Sequence, residues 1–429
     1  MKILLSAYEC EPNRGREQGR GWNCALELAR FGHDVWVLTP SKNKEHVAPE
    51  LERHALPNLK FIYIDDSDLI RRYLTNKTGT ILRYFLWQWK AYDIAKALDK
   101  VHDFAIVHHV TMGSLTGGSL LWKLGKPFVF GPAGGGQIAP AAFKKYFYGA
   151  WWTEAWRSFI VQQLIPLNPL TRSTFGHTKL VLAANRDTVA LSRRIGAPRA
   201  ELFFDAGLPE DYFPEAPPER SPSDALRLFW VARMFPRKAL RLALEALAGV
   251  DPAIPVKLTI AGGGTQEHEL PQWIEELGLG DRVTCLGFLD WETVKAEYLQ
   301  QDALLFTSLR DTGGAQLLEA MAQGLPIITL NHHGAGDHIP EEAGVKVAVT
   351  NPDETLSALT HAIEHLYHYP SDRQNMGRCG FEYAKTQTWP KKVKKISDFY
   401  DELIAQHPSK QPADKKTVGK SVRTLLLHQ

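Results

Sequence analysis

Apolar runs of strand length alternate with segments of helical periodicity along most of the chain. In the first half, the strand-like runs are "KILLSAY", "HDVWVLTP", "FAIVHHV" and "KPFVFGPA". In the second half, they are "LRLFWVAR", "VKLTIAGGG", "VTCLGF", "ALLFTS" and "LPIITL". Segments such as "GWNCALELARFG" and "ALRLALEALAGV", whose apolar spacing suits a helix, lie between them. This alternation predicts βαβ units and mostly parallel sheets, an α/β fold class.

The chain is too long for one compact core, because single cores stop growing near about 250 to 300 residues. The proline- and acid-rich stretch from Pro209 to Asp224 has the composition of a linker. We therefore predict a Rossmann-like domain over residues 1–215 and a second over 216–389. Residues 390–429 are predicted to form a helix to about Gln406, which packs back on the first domain, and then a basic tail. Two such domains would face each other across a cleft at their strand ends.

Composition excludes several classes of protein. Hydrophobic residues make up 44% of the 429-residue chain and charged residues 23%, which is ordinary for a globular protein. The net charge of +2 does not indicate a nucleic-acid binder. The four cysteines lack metal-type spacing and suggest free thiols without a structural metal. Without an apolar run of about 18 residues we expect no membrane span, and we expect a cytoplasmic protein.

The stretch "SLRDTGGAQLLEAMAQGLPII", Ser308 to Ile328, carries the first candidate chemistry. Its glycines precede a predicted helix, and the free N–H groups of a first helical turn form an anion site that glycines let a phosphate approach. The candidate ligand-binding residues here are Gly313, Gly314, Ala315, Gln316 and Glu319, and the helix end is predicted to hold a diphosphate. Glu319 lies inside the helix, where it is predicted to accept hydrogen bonds from sugar or ribose hydroxyls. The alternative is an ordinary helix start with Glu319 solvated on its face.

Two cations follow the first strand of the second half. In "FWVARMFPRKALRLALEAL", Arg233 and Lys238 flank a proline-bearing loop. At the carboxyl end of a strand they would neutralise a leaving diphosphate, the arginine through its planar fork and the lysine as a point charge. The alternative is a solvated basic loop. The glycine turn of "TIAGGGTQ", with Gly263, is weak evidence for phosphate binding by itself.

Taken in order, these motifs resemble the nucleotide-binding half of the retaining GT-B glycosyltransferases of family 4. The family's Arg…Lys pair is matched by Arg233 and Lys238, its strand-glycine element by "LTIAGGG", and its base-contacting turn by "RVTCLGFL", which contains Leu286. Its acid-x7-acid motif with "LEAMA-x-G-x-P" is matched by "DTGGAQLLEAMAQGLP". The family usually has glutamate at the first acid and an aromatic residue two positions later. This chain has Asp311 and Gly313, and the shorter carboxylate reaches less far.

The first half also resembles this family. "EPNRGREQGRGWNCALELARFGHDVWVLT" is similar to its glycine-bearing loop and first helix, with Gly19 and Gly21 predicted to open the helix near the donor, although a simple tight turn would leave the same pattern. "FGPAGGGQIAP" is similar to a "GP-x-GGG" edge, which implies an acceptor side at Gly134, Gly135 and Gly136. Of the two histidines ending the preceding strand, His108 and His109, one at most should face the cleft, because successive strand residues point in opposite directions. We favour His109 over a packed histidine.

The resemblance implies transfer of a sugar, with retention and without a metal or other cofactor, from a UDP- or GDP-linked donor. Catalysis would depend on stabilising the departing diphosphate. Asp311 would hold donor sugar hydroxyls and His109 the reacting sugar or the acceptor, in a front-face reaction. The acceptor would be a saccharide or a lipid-linked saccharide in glycan or polysaccharide biosynthesis. Two alternatives are a nucleotide-sugar epimerase of the same fold and a nucleotide-sugar-binding protein without turnover.

Two aromatic, basic segments suggest contact with the inner leaflet of a membrane. They are Tyr146 to Phe159, preceded by Lys144 and Lys145, and Arg71 to Tyr92. Tryptophan and tyrosine favour headgroup depth, and cations attract anionic lipid. Aromatic helices are often simply core elements, which is the alternative. Peripheral association would fit a lipid-linked acceptor.

Overall fold

Two parallel sheets, both packed against helices, make up the protein in this computed structural model, which describes residues 1–13, 15–65 and 77–406. The strands of the first sheet are β1 (Lys2–Ser6), β2 (Asp34–Pro40), β3 (Leu59–Ile64), β4 (Ile106–His109), β5 (Phe128–Ala133), β6 (Leu180–Ala183) and β7 (Ala200–Leu202). Its helices are α1 (Arg16–Arg30), α2 (Lys44–His54), α3 (Lys77–His102), α4 (Trp151–Phe159), α5 (Pro169–His177) and α6 (Arg186–Ile195). The strand order is β3-β2-β1-β4-β5-β6-β7.

The second sheet repeats this arrangement. Its strands are β8 (Leu226–Val231), β9 (Val256–Ala261), β10 (Val283–Gly287), β11 (Ala303–Phe306), β12 (Ile327–Leu330) and β13 (Gly344–Val347). Its helices are α7 (Leu240–Ala248), α8 (Leu270–Glu276), α9 (Trp291–Tyr298), α10 (Ala315–Ala322), α11 (His333–His338), α12 (Pro352–His368) and α13 (Pro370–Lys385), before α14 (Trp389–Gln406). The strand order is β10-β9-β8-β11-β12-β13. The predicted α/β fold class is confirmed.

The strand order places a crevice beside the middle of each sheet. The chain leaves β8 in one direction, toward β9, and returns on its other side at β11. In sheets of this kind the carboxyl ends of two such strands diverge and leave room for a ligand. The loops after β8 and β11 carry the cationic and the glycine-bearing motifs of the second half.

Helix α14 lies against the first domain. Its apolar side chains Val393, Ile396 and Leu403 share a buried cluster with α1. The Tyr400 hydroxyl is 2.5 Å from Nδ1 of His108. Where the chain crosses between domains, Trp389 N–H donates to the Leu208 carbonyl at 2.9 Å. The two crossing segments are thus hydrogen-bonded to each other.

A segment of the first domain is buried in the core of the second. Residues Ala141–Ala150 form a 3-10 helical segment from which Phe143, Tyr146 and Phe147 pack among the residues of α7 and β8. Burial of each large apolar side chain contributes about 2 kcal/mol. Tyr146 donates to Glu245 at 2.7 Å. The expectation that Tyr146 belongs to a membrane-facing surface is therefore wrong, because it fills the contact between the domains.

Other aromatic residues of the two segments are exposed, unlike Tyr146. Trp152 and Trp156 are 81% and 61% exposed, and Trp89 is 58% exposed. Arg71 to Asn76 and the predicted basic tail after Gln406 lie outside the described residues. Among the described residues, no helix combines the length and the hydropathy needed to cross a membrane.

Candidate active site

An ion pair joins the loop after β8 to the loop after β11. Lys238 ends the short 3-10 turn Pro236–Lys238, and its Nζ contacts Oδ2 of Asp311. Arg237 Nη1 is 3.7 Å from Oδ1 of the same carboxylate. The Leu309 N–H donates to the Arg237 carbonyl at 2.9 Å. Backbone and side-chain contacts therefore hold the two loops together at the crevice.

Asp311 is held in its ionised form. Burial by itself would raise its pKa, but the charges of Lys238 and Arg237 outweigh burial and lower the pKa below the usual value. The Lys238 ammonium also lies over the ring of Phe306, 5.2 Å from the centroid. The site therefore contains a carboxylate and a cation in fixed positions at neutral pH.

Positive charge is in excess around this pair. Nε of Arg310 lies 2.6 Å from Oε1 of Glu154, and Nη1 of Arg157 lies 3.6 Å from the same atom. Burial lowers the pKa of Arg157 to about 10, and the neighbouring charge of Arg310 adds to the effect. With Arg237 and Lys238, this network contains four cations and two carboxylates, all partly buried, so it carries a net charge of +2. A buried excess of this kind is costly unless an anion compensates it.

The amino end of α10 lies next to the pair. Gly314 has φ +92°, in the left-handed region, and Ala315 and Gln316 begin the helix after it. A Cβ on Gly313 would lie 2.3 Å from Oδ1 of Asp205 and 2.9 Å from Cε2 of Phe204. An aromatic side chain, as the related motif usually has there, would not fit beside these residues of the first domain.

Glu319 is held by α9 rather than solvated. Its Oε1 accepts from Trp291 Nε1 at 3.1 Å and its Oε2 from the Tyr298 hydroxyl at 3.2 Å. The interpretation of Glu319 as a solvated surface residue is therefore wrong. The carboxylate is fixed one turn into α10, next to the first residue of α9.

The remaining predicted residues of the second half lie around the same crevice. The Gly263 carbonyl accepts from Met234 N–H at 2.9 Å, so the glycine turn after β9 is attached to the loop after β8. Leu286, on β10, is 38% exposed. Arg233 is exposed, and its guanidinium lies 4.8 Å from the ring centroid of Phe235. The second cation beside Asp311 is thus Arg237, which the motif comparison missed although it directly precedes Lys238.

The glycine edge of the first domain meets the motif of the second. A Cβ on Gly134 would lie 2.5 Å from Cγ2 of Thr312. Gln137 Nε2 donates to Thr312 Oγ1, and Asn185 Nδ2 donates to the Thr312 carbonyl, both at 2.9 Å. Gly135 has φ +120°, and a Cβ on Gly136 would lie 2.4 Å from the Asp187 carbonyl oxygen. The structure thus brings the predicted acceptor side into direct contact with the loop that carries Asp311.

The prediction that Gly19 and Gly21 open the first helix is wrong. Helix α1 begins at Arg16, so both glycines lie within the helix and do not open it. A Cβ on Gly21 would lie 2.3 Å from the Glu9 carbonyl oxygen, so close packing of the backbone accounts for this glycine. The residue between them, Arg20, is buried and donates to the Pro132 carbonyl at 2.9 Å and to Asp205 at 3.1 Å.

The expectation that His109 faces the cleft is also wrong. Its ring is fully buried, with Nε2 3.0 Å from the Tyr84 hydroxyl and Nδ1 3.1 Å from Ser6 Oγ. Burial and the neighbouring His108 lower its pKa to about 3, so the ring is neutral. His108 points to the other face of the sheet and contacts Tyr400 and the Gly131 carbonyl. Both histidines are packing residues in this structure.

The domain that contains most of this site is similar to known proteins. Residues 214–382 match the model of the family described as glycosyl transferases group 1. An uncharacterized glycosyltransferase of Methanocaldococcus jannaschii is 30% identical over 131 residues, 30% of this chain and 34% of that protein. The D-inositol 3-phosphate glycosyltransferase of Corynebacterium glutamicum is 26% identical over 184 residues, 41% of this chain and 43% of that protein. The chain spans less than half the length of these curated relatives.

A solved structure extends the likeness over both domains. HepE from Anabaena, in complex with UDP, superposes with a TM-score of 0.61 at 16% identity, covering 94% of this chain and 99% of that one. At this identity the likeness concerns the fold, which is the two-domain GT-B fold. The family match covers the domain that contains Lys238, Asp311 and Glu319. Residues 214–382 therefore match the glycosyl transferases group 1 family, and the two-domain chain has the GT-B fold.

Proposed function

We propose that this protein is a glycosyltransferase that moves a sugar from a nucleoside-diphosphate sugar to a hydroxyl acceptor. The observation that carries the proposal is the net charge of +2 in the buried network around Lys238 and Asp311. A bound diphosphate would compensate that charge, and the same cations would stabilise the departing diphosphate in the transition state. The amino end of α10 would add its backbone N–H groups to the phosphate site.

Different residues would bind the different parts of the donor. Lys238 and Arg237, with Arg233 at the edge, would bind the diphosphate, and Glu319 would accept the ribose hydroxyls. Asp311 would hold hydroxyls of the donor sugar while orienting Lys238. Gly134 to Gly136 would border the acceptor. The HepE structure was determined with UDP, which favours UDP over GDP as the nucleotide of the donor.

Retention is proposed from the resemblance to the retaining family, and the side chains near Lys238 bear on the route of the reaction. Among the described residues around Lys238, the carboxylates of Asp311 and Glu154 are both in ion pairs with cations. Neither is placed as a covalent nucleophile, so a reaction with retention would take the front-face route. Retention is tested by NMR of the product: an anomeric configuration opposite to that of the donor would overturn it.

The acceptor is proposed to be a saccharide attached to a lipid. Trp152, Trp156 and Phe159 are exposed on α4, and the only acid between residues 140 and 180 is Glu154, which is buried. An exposed aromatic surface that lacks acids on the same segment suits a membrane with anionic headgroups. The enzyme would thus meet its acceptor on the cytoplasmic face of a membrane.

The decisive experiment incubates the purified protein with UDP- and GDP-sugars, with and without a pool of lipid-linked saccharides. Release of nucleotide that depends on the acceptor supports the transferase. Isomerisation of the donor without acceptor would show an epimerase instead. Tight donor binding with neither reaction would show a binding protein. A thermal-shift screen identifies the donor first, because a ligand at about 100 times its Kd stabilises the protein by about 2.7 kcal/mol.

A further inference from the structure

A second cavity lies where the two domain-crossing segments meet. It has a volume of about 150 Å³ and is bounded by the end of β7 with Phe203 and Phe204, by the end of α13, and by the first turns of α14. We call it the hinge cavity and define it by Phe203, Phe204, Gln387, Lys391, Lys392 and Lys395. Apart from Phe204, which also lies beside Gly313, its lining residues are not those described around Lys238 and Asp311, so its chemistry has to be explained separately.

The hinge cavity is cationic. Three of its lining residues are lysines, and among the described lining residues none is acidic. Lys391 and Lys395 are exposed, whereas Lys392 is 5% exposed. The carboxylate of Asp205, which attracts Lys392, is already paired with Arg20 at 3.1 Å. The positive charge of the cavity is therefore not neutralised by a carboxylate among its described lining residues.

The buried ammonium of Lys392 has weak partners. Its Nζ donates to Gln387 Oε1 at 3.2 Å and lies 4.3 and 5.5 Å from the ring centroids of Phe203 and Phe204. Burial lowers the pKa of Lys392 to about 7, against the opposing attraction of Asp205. A lysine whose charge is this poorly compensated would gain free energy from an anion in the cavity.

We propose that the hinge cavity is a second anion site, which binds a small ligand bearing phosphate groups through Lys391, Lys392 and Lys395. Lysines act as point charges toward phosphate oxygens. The volume equals that of roughly five water molecules, which suits pyrophosphate or a phosphate group. Sites for drug-sized ligands are commonly about 300 Å³ or larger.

A ligand in this cavity would act on the domain contact. Phe203 and Phe204 lead directly to Asp205, which pairs with Arg20 and lies against Gly313. On the other side, the Gln387 carbonyl accepts from Leu208 N–H at 3.3 Å, and Trp389 N–H donates to the Leu208 carbonyl. An occupied cavity would stabilise both crossing segments together, and with them the position of the loop that carries Asp311.

The test is calorimetric titration of the full chain with pyrophosphate. Lys394 provides a matched control, since it is next to Lys395 on α14 but is exposed, pairs with Asp398 and does not line the cavity. We expect Lys391→Gln and Lys395→Gln each to weaken binding about tenfold, the effect of one charged contact. Lys394→Gln should leave it unchanged. Titration of Lys238→Ala separates the two sites, because pyrophosphate that binds at the proposed donor site would lose the contact with Lys238, whereas binding in the hinge cavity should persist unchanged.

The proposal is overturned if pyrophosphate does not bind, if Lys394→Gln weakens binding as much as Lys395→Gln, or if only Lys238→Ala abolishes it. Binding of a UDP-sugar is measured in the same variants. An unchanged donor affinity in Lys395→Gln with weakened pyrophosphate binding supports a separate hinge site. If no protein, including the wild type, binds the UDP-sugar, the proposed transferase function is contradicted. The measured binding of pyrophosphate in the hinge cavity is not affected by that outcome.

Discussion

Lys238 and Asp311 form an ion pair between the loops that follow two strands on opposite sides of the same crevice. The pair lies at the place where a parallel sheet of this order leaves room for a ligand. It also links the cation proposed to bind the diphosphate to the carboxylate proposed to hold the sugar. In the proposed function, this one contact would couple the two ends of the donor.

The first prediction concerns Lys238. Lys238→Ala should lower kcat/KM about 10² to 10³-fold, as removal of one group that stabilises developing negative charge does in other enzymes. The control is Lys257→Ala, because Lys257 is an exposed lysine on β9. Steady-state rates are measured together with circular dichroism and thermal unfolding. Unchanged activity in a folded Lys238→Ala protein would remove this lysine from the leaving-group site.

The sequence predicted the fold well because the apolar pattern of a parallel sheet is local and strong. Buried strands such as β11 are continuous apolar runs, and each is followed by a helix with its own period. The family motif likewise placed Lys238 and Asp311, which lie far apart in the chain, in one crevice. Their direct contact depends on strand order, and this order is a property of the whole sheet.

The sequence was less informative where a residue could either bind a ligand or pack. Gly21 fits a phosphate-binding glycine, yet the Glu9 carbonyl fills the space beside it. His109 ends a strand at the expected edge, but Tyr84 and Ser6 engage its ring. The contact between Arg310 and Glu154 could not be predicted, because Glu154 belongs to a helix of the other domain. Such contacts depend on tertiary packing and leave no local pattern.

The second prediction tests the contact between the domains at Gly134. Gly134→Ala should reduce activity about tenfold or more, since the new methyl group would meet Cγ2 of Thr312 at 2.5 Å. Adding Thr312→Ser removes that carbon and should restore part of the activity. Gly149→Ala is the control, because a Cβ there has no neighbour within 4 Å. If Thr312→Ser lowers the activity of Gly134→Ala further instead of restoring part of it, the two residues do not meet during the reaction.

The third prediction concerns the exposed aromatic residues of α4. Trp152→Ser with Trp156→Ser should weaken sedimentation with vesicles that contain anionic lipid, while activity on a water-soluble acceptor stays unchanged. The matched control is Phe288→Ser, an 84% exposed aromatic residue of the second domain. If wild type and both variants sediment alike, α4 is not the membrane-binding surface.

The fourth prediction follows from the buried histidines. Burial lowers the pKa of His108, His332 and His338 to about 4 and that of His109 to about 3. An unfolded histidine has a pKa of about 6.5. Between these values the unfolded chain binds protons that the folded protein does not, so the free energy of unfolding must fall as the pH falls below about 6.5.

Denaturant titrations at pH 7 and pH 5.5 measure this loss, at a pH where most carboxylates stay ionised in both states. Each buried histidine contributes up to about 1.4 kcal/mol per pH unit in the window. His108→Gln should therefore reduce the pH dependence by about one proton, because the amide can still donate to the Gly131 carbonyl but does not titrate. His361→Gln, at an exposed position on α12, should leave it unchanged. If the free energy of unfolding depends equally on pH in all three proteins, His108 is not kept neutral by the fold.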